Sequence, residues 1–161
     1  KALKNRADNE QLLYARSLFS EKLGNIDDVE RDLQHIIDRD PNNATALNAL
    51  GYSLANLSNS RLDEAEQLVK RALELEPDDP AIIDSYGWIM LLKGNLNAAI
   101  TLLEKAFEQT QDHEIAAHLG EALWLSGDKI RAKAVWETGL KNTPNSPIIM
   151  ETLRKLELFN E

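Results

Sequence analysis

The sequence predicts an all-α fold built from repeated pairs of antiparallel helices. Three observations carry this reading. Apolar residues recur at three- and four-residue spacing through most of the chain, no segment alternates convincingly with period two, and the pattern returns after 33 or 34 residues. The repeat emerges when three glycines are stacked: L-N-A-L-G-Y-S-L from Leu47, I-D-S-Y-G-W-I-M from Ile83, and A-A-H-L-G-E-A-L from Ala116. Behind each glycine the same order of residues follows: Ala65, Val69, Ala72 and Pro77; then Ala99, Leu103 and Ala106; then Ala132, Trp136, Gly139 and Pro144. Ala65 and Ala99 lie 34 residues apart, Ala99 and Ala132 33.

Each unit divides into two amphipathic stretches around a turn-like segment, N-L-S-N-S-R, L-K-G-N or L-S-G-D. Gly94 and Gly127 fall where a first helix should stop, and Asn95 and Asp128 stand ready to start the second. Pro80 and Pro147 sit near the start of first helices, where a missing N–H is not needed. Repeats are expected over about 10–43, 44–79, 80–112 and 113–145, with a closing helix over about 146–158. The first is degenerate: Leu13, Gly24, Leu33, Ile36 and Pro41 keep the register, but Ser17 replaces the glycine. Residues 1–8 read as the end of a still earlier repeat, because Ala2 lies 34 residues before Ile36, so the 161 residues are expected to be one fragment of a longer array.

Gly87, in D-S-Y-G-W-I-M-L-L-K-G, costs a helix interior about 1 kcal/mol relative to Ala. Close approach of two helix backbones, to ~8–10 Å, offsets such a cost. Gly51, Gly87 and Gly120 are therefore expected to meet Ala65, Ala99 and Ala132 of their own second helices.

A hydrophobic share of 43% with 28% charged residues suits a folded chain, and a net charge of -9 opposes a phosphate-tracking surface or binding to an anionic membrane. No apolar run approaches the length of a membrane span. Cysteine is absent, which removes disulfides and thiolate chemistry. No catalytic, cofactor or metal constellation is expected: there is no phosphate-binding glycine loop, and His113 and His118, five residues apart, diverge on a helix. Asp112, His113 and Glu114 read as a helix start, and His118 as packed between helices. Glu64, Glu66, Glu74 and Glu76 read as a solvated face.

The ordered positions, a large apolar residue, Leu-Gly, an aromatic, Ala, a large apolar residue, Ala and Pro, resemble the tetratricopeptide repeat. The resemblance implies a right-handed superhelical solenoid of antiparallel helix pairs, and a non-catalytic scaffold that binds a protein or peptide on a concave face lined by first helices. Helical spacing places Asp84, Trp88, Leu91 and Leu92 on that face of one repeat. Asn48, Tyr52, Ala55 and Asn56 are the matching set before it, Ala117, Glu121, Trp124 and Leu125 the set after it, and Tyr14, Leu18 and Glu21 the set in the first repeat. Trp88 and Trp124 have two readings, packing against the adjacent repeat or anchoring a partner together with Tyr52. Trp136 takes a core position. The face lacks the Lys and Arg that would clamp a carboxylate, so the expected partner is neutral to basic and partly apolar.

A closer likeness lies in three ordered features: an extended turn in G-Y-S-L-A-N-L-S-N-S-R-L-D-E-A, then D-D-P-A-I-I-D-S-Y-G-W, then H-E-I-A-A-H-L-G-E-A-L-W. The set resembles the C-terminal repeats of tetratricopeptide lipoproteins of Gram-negative bacteria, a group that includes the adaptor of a periplasmic carboxyl-terminal processing protease. That resemblance implies a lipid anchor upstream, a place at the periplasmic side of the outer membrane, and as partners the protease and its substrates. Two alternatives stay open: an interaction domain appended to an enzyme or assembly machine, in the cytoplasm or elsewhere, and a homo-oligomerisation module.

Overall fold

The computed structural model describes residues 9–158, so the reading of residues 1–8 as the end of an earlier repeat lies outside the described residues. Among the described residues there are nine α-helices and a single 3₁₀ turn, and no strand. They are α1 (Glu10–Lys22), α2 (Ile26–Arg39), α3 (Ala44–Leu57), α4 (Leu62–Leu75), α5 (Pro80–Leu92), α6 (Leu96–Thr110), α7 (His113–Ser126), α8 (Lys129–Asn142) and α9 (Pro147–Lys155). The 3₁₀ turn, Asn59–Arg61, lies between α3 and α4.

The chain gathers into two compact units, one ending at Pro77 and the other starting at Asp78. In the first, α1 pairs with α2 and α3 with α4, while α2 packs on α3 and α1 touches α3. In the second, α5 pairs with α6 and α7 with α8; α6 packs on α7, α5 touches α7, and α9 lies against α7 and α8. The linkers inside each pair are short, which forces neighbouring helices to run antiparallel.

Local chemistry explains why the helices begin and end where they do. Asn9, Asn25, Asn43, Asp79, Asn95, Asp112, Asp128 and Ser146 each accept a backbone N–H of the first turn and so satisfy a donor that has no partner in the helix. Pro80 and Pro147 occupy first positions, as their placement predicts. Gly94 and Gly127 follow α5 and α7 with φ of 79° and 94°, left-handed values that a Cβ disfavours.

The longer turn after Gly51 is the 3₁₀ segment, and it is clamped from outside. Arg61 donates two hydrogen bonds of 2.7 Å to Glu30 of α2 and bonds of 2.9 and 2.8 Å to Glu64 of α4. This guanidinium holds the inserted residues in place where α4 has no side-chain cap of its own.

Gly51 meets Ala65 as expected, since a methyl there would lie 2.9 Å from the Ala65 carbonyl oxygen, but at all three glycines a larger side chain lies nearer. A methyl on Gly51 would lie 2.6 Å from Val69 Cγ2, one on Gly87 2.7 Å from Leu103 Cγ, and one on Gly120 2.0 Å from Trp136 Nε1. The closest neighbour is therefore the large residue of the second helix, four positions beyond the expected alanine. Ala65, Ala99 and Ala132 are themselves fully buried and let the backbones close, and the next turn then fills the notch over the glycine. At Ser17, which replaces the glycine in the first pair, the hydroxyl folds back and donates to the Tyr14 carbonyl at 2.7 Å.

Candidate functional site

The second unit carries a ladder of polar side chains across its first helices. Asp84 and Trp88 lie four residues apart on α5, His118 and Glu121 three apart on α7, and Lys155 is the last residue of α9. His118 Nδ1 donates to both carboxylate oxygens of Asp84, at 2.9 and 3.0 Å. The Trp88 ring stacks on the imidazole with centroids 4.3 Å apart and planes inclined by 22°. Lys155 Nζ donates to Glu121 Oε1 at 2.5 Å and stands 5.8 Å from the centroid of the Trp88 ring.

Three of these charged or ionisable groups are buried: Asp84 is 6% exposed, His118 3% and Glu121 5%. Burial by itself would lower the pKa of the His118 imidazole, but the carboxylate of Asp84, with lesser help from Glu114 and Glu121, carries it above its ordinary value. A His118–Asp84 pair accompanied by a Glu121–Lys155 pair balances charge along the ladder, which is what allows ionisable groups to persist in a dry layer. No nucleophile stands on this ladder for the imidazole to activate. Among the described residues no group of three or more His, Asp or Glu side chains is arranged to hold a metal ion.

The residues expected on the first-helix face fall into three groups. Asp84, Trp88 and Glu121 come together in the ladder. Leu91 is buried, whereas Leu92 is partly exposed. In the first unit, Asn56 of α3 donates to Glu21 of α1 at 3.5 Å. Tyr14 is half-buried with a pKa raised by burial and by Glu21, Tyr52 is partly buried, and Asn48 Oδ1 is buried with no hydrogen-bond donor.

Trp124 is partly exposed and makes its ring contact within its own helix pair. Its ring tilts against Trp136 of the paired helix α8, with centroids 5.9 Å apart, and Lys129 and Lys133 of α8 lie 4.6 and 6.0 Å from its centre. The reason is register. Trp124 follows Gly120 by four residues and so lies one turn along the face that meets α8, whereas Trp88 follows Gly87 by one residue. The residue of α7 equivalent to Trp88 is Glu121. Trp88 itself packs on the adjacent repeat, through His118.

Two members of the ladder escape sequence reasoning. Helical spacing puts His118 between helices without naming its partner, and Lys155 carries no signal in a helix read for its apolar residues. A pattern does exist: Asp84 and His118, like Glu121 and Lys155, are opposite charges 34 residues apart, one repeat period.

Two family models described as tetratricopeptide repeat match residues 14–80 and 56–123. The TPR repeat-containing protein PA4667 of Pseudomonas aeruginosa is 48% identical over 119 residues, which cover 74% of this chain and 20% of that protein. Protein O-mannosyl-transferase TMTC1 of Mus musculus is 28% identical over 146 residues, 84% of this chain and 15% of that protein. The chain thus spans about a fifth or less of the length of these curated relatives. The solved structure of TTC0263, a thermophilic TPR protein of Thermus thermophilus, superposes with a TM-score of 0.79 at 22% identity, covering 98% of this chain and 86% of that one. That likeness is one of fold.

Proposed function

The chain carries tetratricopeptide repeats, and on that footing we propose that it is a non-catalytic scaffold that binds a neutral-to-basic, partly apolar protein segment on the first-helix face of its second unit. The observation that supports this most directly is Trp88. Its indole is partly exposed on α5 and held in one orientation by the stack on His118, which itself is fixed by Asp84. An aromatic ring ordered before binding loses little freedom on contact, and such residues dominate interface energetics. The test is an array of neutral and singly basic, Leu-containing decapeptides probed with the full chain. Trp88→Ala should weaken binding about 30-fold, corresponding to ~2 kcal/mol, while Trp124→Ala, whose ring belongs to the α8 contact, should bind as the wild type does. Equal binding by wild type and Trp88→Ala would sink the reading.

In its sharper form the proposal is an adaptor, anchored by lipid upstream at the periplasmic side of the outer membrane, that presents substrates to a carboxyl-terminal processing protease. Its support is the ordered motif set from Leu47 to Gly139 together with the 48% identity to a Pseudomonas repeat protein. Co-purification of the protease with the full-length protein from cell envelopes, lost on Trp88→Ala, is the expected result. Recovery of the protein in the cytoplasmic fraction alone would overturn the location. A repeat domain appended to an enzyme is the second reading, favoured by the transferase TMTC1, of which the aligned part is 15%. The sequence upstream in the full-length protein separates the two.

A further inference from the structure

We propose that Glu121 and Trp88 form a recognition site for a Lys or Arg side chain of the bound segment, and that Lys155 of α9 occupies this site when no partner is present. The inference rests on the reading that this face binds a protein segment. Glu121 is nearly fully buried, and its carboxylate receives one hydrogen bond, from Lys155 at 2.5 Å. A buried carboxylate requires a cation. His118, three residues before it on the same helix, gives its hydrogen bonds to Asp84 and acts on Glu121 only through space, so Lys155 is the cation in direct contact with the Glu121 carboxylate.

That cation is far more exposed than the anion it serves. The Lys155 side chain is 57% exposed, and it extends from the last residue of α9, where a helix end has the least hold on its side chains. The anion is therefore fixed in the core while its counter-ion is largely in water. Beside the carboxylate the Trp88 ring offers a π face, 5.8 Å from the ammonium. A carboxylate and an indole face converging on one point will accept any alkylammonium or guanidinium that reaches it. A partner's Lys or Arg can take the place of Lys155 without leaving Glu121 unpaired, and Lys155, already 57% exposed, gives up little when it returns to water. The apolar residues around that basic side chain add to the affinity.

The test uses the full chain and two decapeptides, one neutral and Leu-rich with a single central Lys, the other with norleucine at that position, followed by Trp fluorescence. The wild type should prefer the Lys peptide. In Lys155→Met, which keeps the aliphatic stem and removes the competitor, the preference should widen by about three- to tenfold. In Glu121→Gln it should disappear. Should Lys155→Met lose helix content, the comparison of wild type with Glu121→Gln carries the test alone. Equal binding of the two peptides to the wild type and to Lys155→Met overturns the cation site while the groove survives. Binding of neither peptide to any variant overturns both.

Discussion

Nδ1 of His118 lies 2.9 and 3.0 Å from the two carboxylate oxygens of Asp84, in a layer that water barely reaches. Burial opposes the imidazolium, yet Asp84, Glu114 and Glu121 raise its pKa above the ordinary 6.5. A group that holds its proton more tightly in the folded chain than in the unfolded chain stabilises the fold while it is protonated. The contribution is therefore complete below pH 6.5 and is lost as pH rises through the raised value of His118. The urea midpoint should fall across that interval. Asp84→Asn should remove most of the decline and cost about 1–3 kcal/mol at low pH, because a charged hydrogen bond in a dry layer is replaced by a neutral one. Matching pH profiles for the two proteins would show that the pair is not the sensor.

A methyl on Gly120 would fall 2.0 Å from the indole nitrogen of Trp136, closer than any counterpart at Gly51 or Gly87. Gly120→Ala gains about 1 kcal/mol in helix propensity, but the overpacking should outweigh it and leave a net loss of about 1–3 kcal/mol. Gly51→Ala, which meets a Val69 methyl at 2.6 Å and the Ala65 carbonyl oxygen at 2.9 Å, should also lose stability. If the indole is the obstacle, Trp136→Leu combined with Gly120→Ala should cost less than the two single changes added together. Additive melting data would locate the strain elsewhere.

What can be read in advance follows from which interactions are local. Helix ends are local: Asn95, Asp128, Pro80 and Gly127 announce caps and stops, so the pairs and their period are legible. The first-helix face is legible for Asp84, Trp88 and Glu121, because helical spacing alone puts them there. The contact of Trp124 with Trp136 is not, since spacing from neighbouring apolar residues misses the glycine that fixes rotation against α8. The side chains nearest the glycines are missed for a related reason. The small residues let two backbones close, but the void over a glycine is filled by whatever large side chain stands one turn further on, as Leu103 and Trp136 do. Lys155 depends on where α9 docks, and no local pattern records that.

Asp32 is buried in α2 and receives Arg16 of α1 and its neighbour Arg31, the latter at 3.1 Å. Burial pushes its pKa upward, but the two guanidinium groups prevail and hold it below the ordinary carboxylate value of 3.8. A depressed carboxylate stabilises the fold above that value and loses its contribution as pH falls through the lowered one. Asp32→Asn should therefore cost about 1–3 kcal/mol near neutrality, a cost that shrinks as the wild type is acidified. Arg16 is half in water and is not stranded by the change, which keeps the loss below that of a buried unpaired charge. Equilibrium denaturation of both proteins down the acid limb checks this, and a gap that stays constant with pH would contradict it.

Helix α9 is seated by Ile149, which is fully buried and close enough to Gly139 that a methyl there would meet its Cδ1 at 2.7 Å. Ser146 ties the helix start to α7, with its hydroxyl 2.8 Å from His113 Nδ1. Truncating the side chain in Ile149→Ala should cost about 2–5 kcal/mol, transfer and cavity terms together. Local opening of α9 would also move Lys155 away from Glu121, since the lysine reaches α7 only while its helix is docked. Hydrogen exchange should therefore speed up at the amides of Thr152 to Lys155 in this variant before the protection of α7 is lost. Loss of protection in α7 and α9 together would mean that the closing helix opens only with the unit it covers.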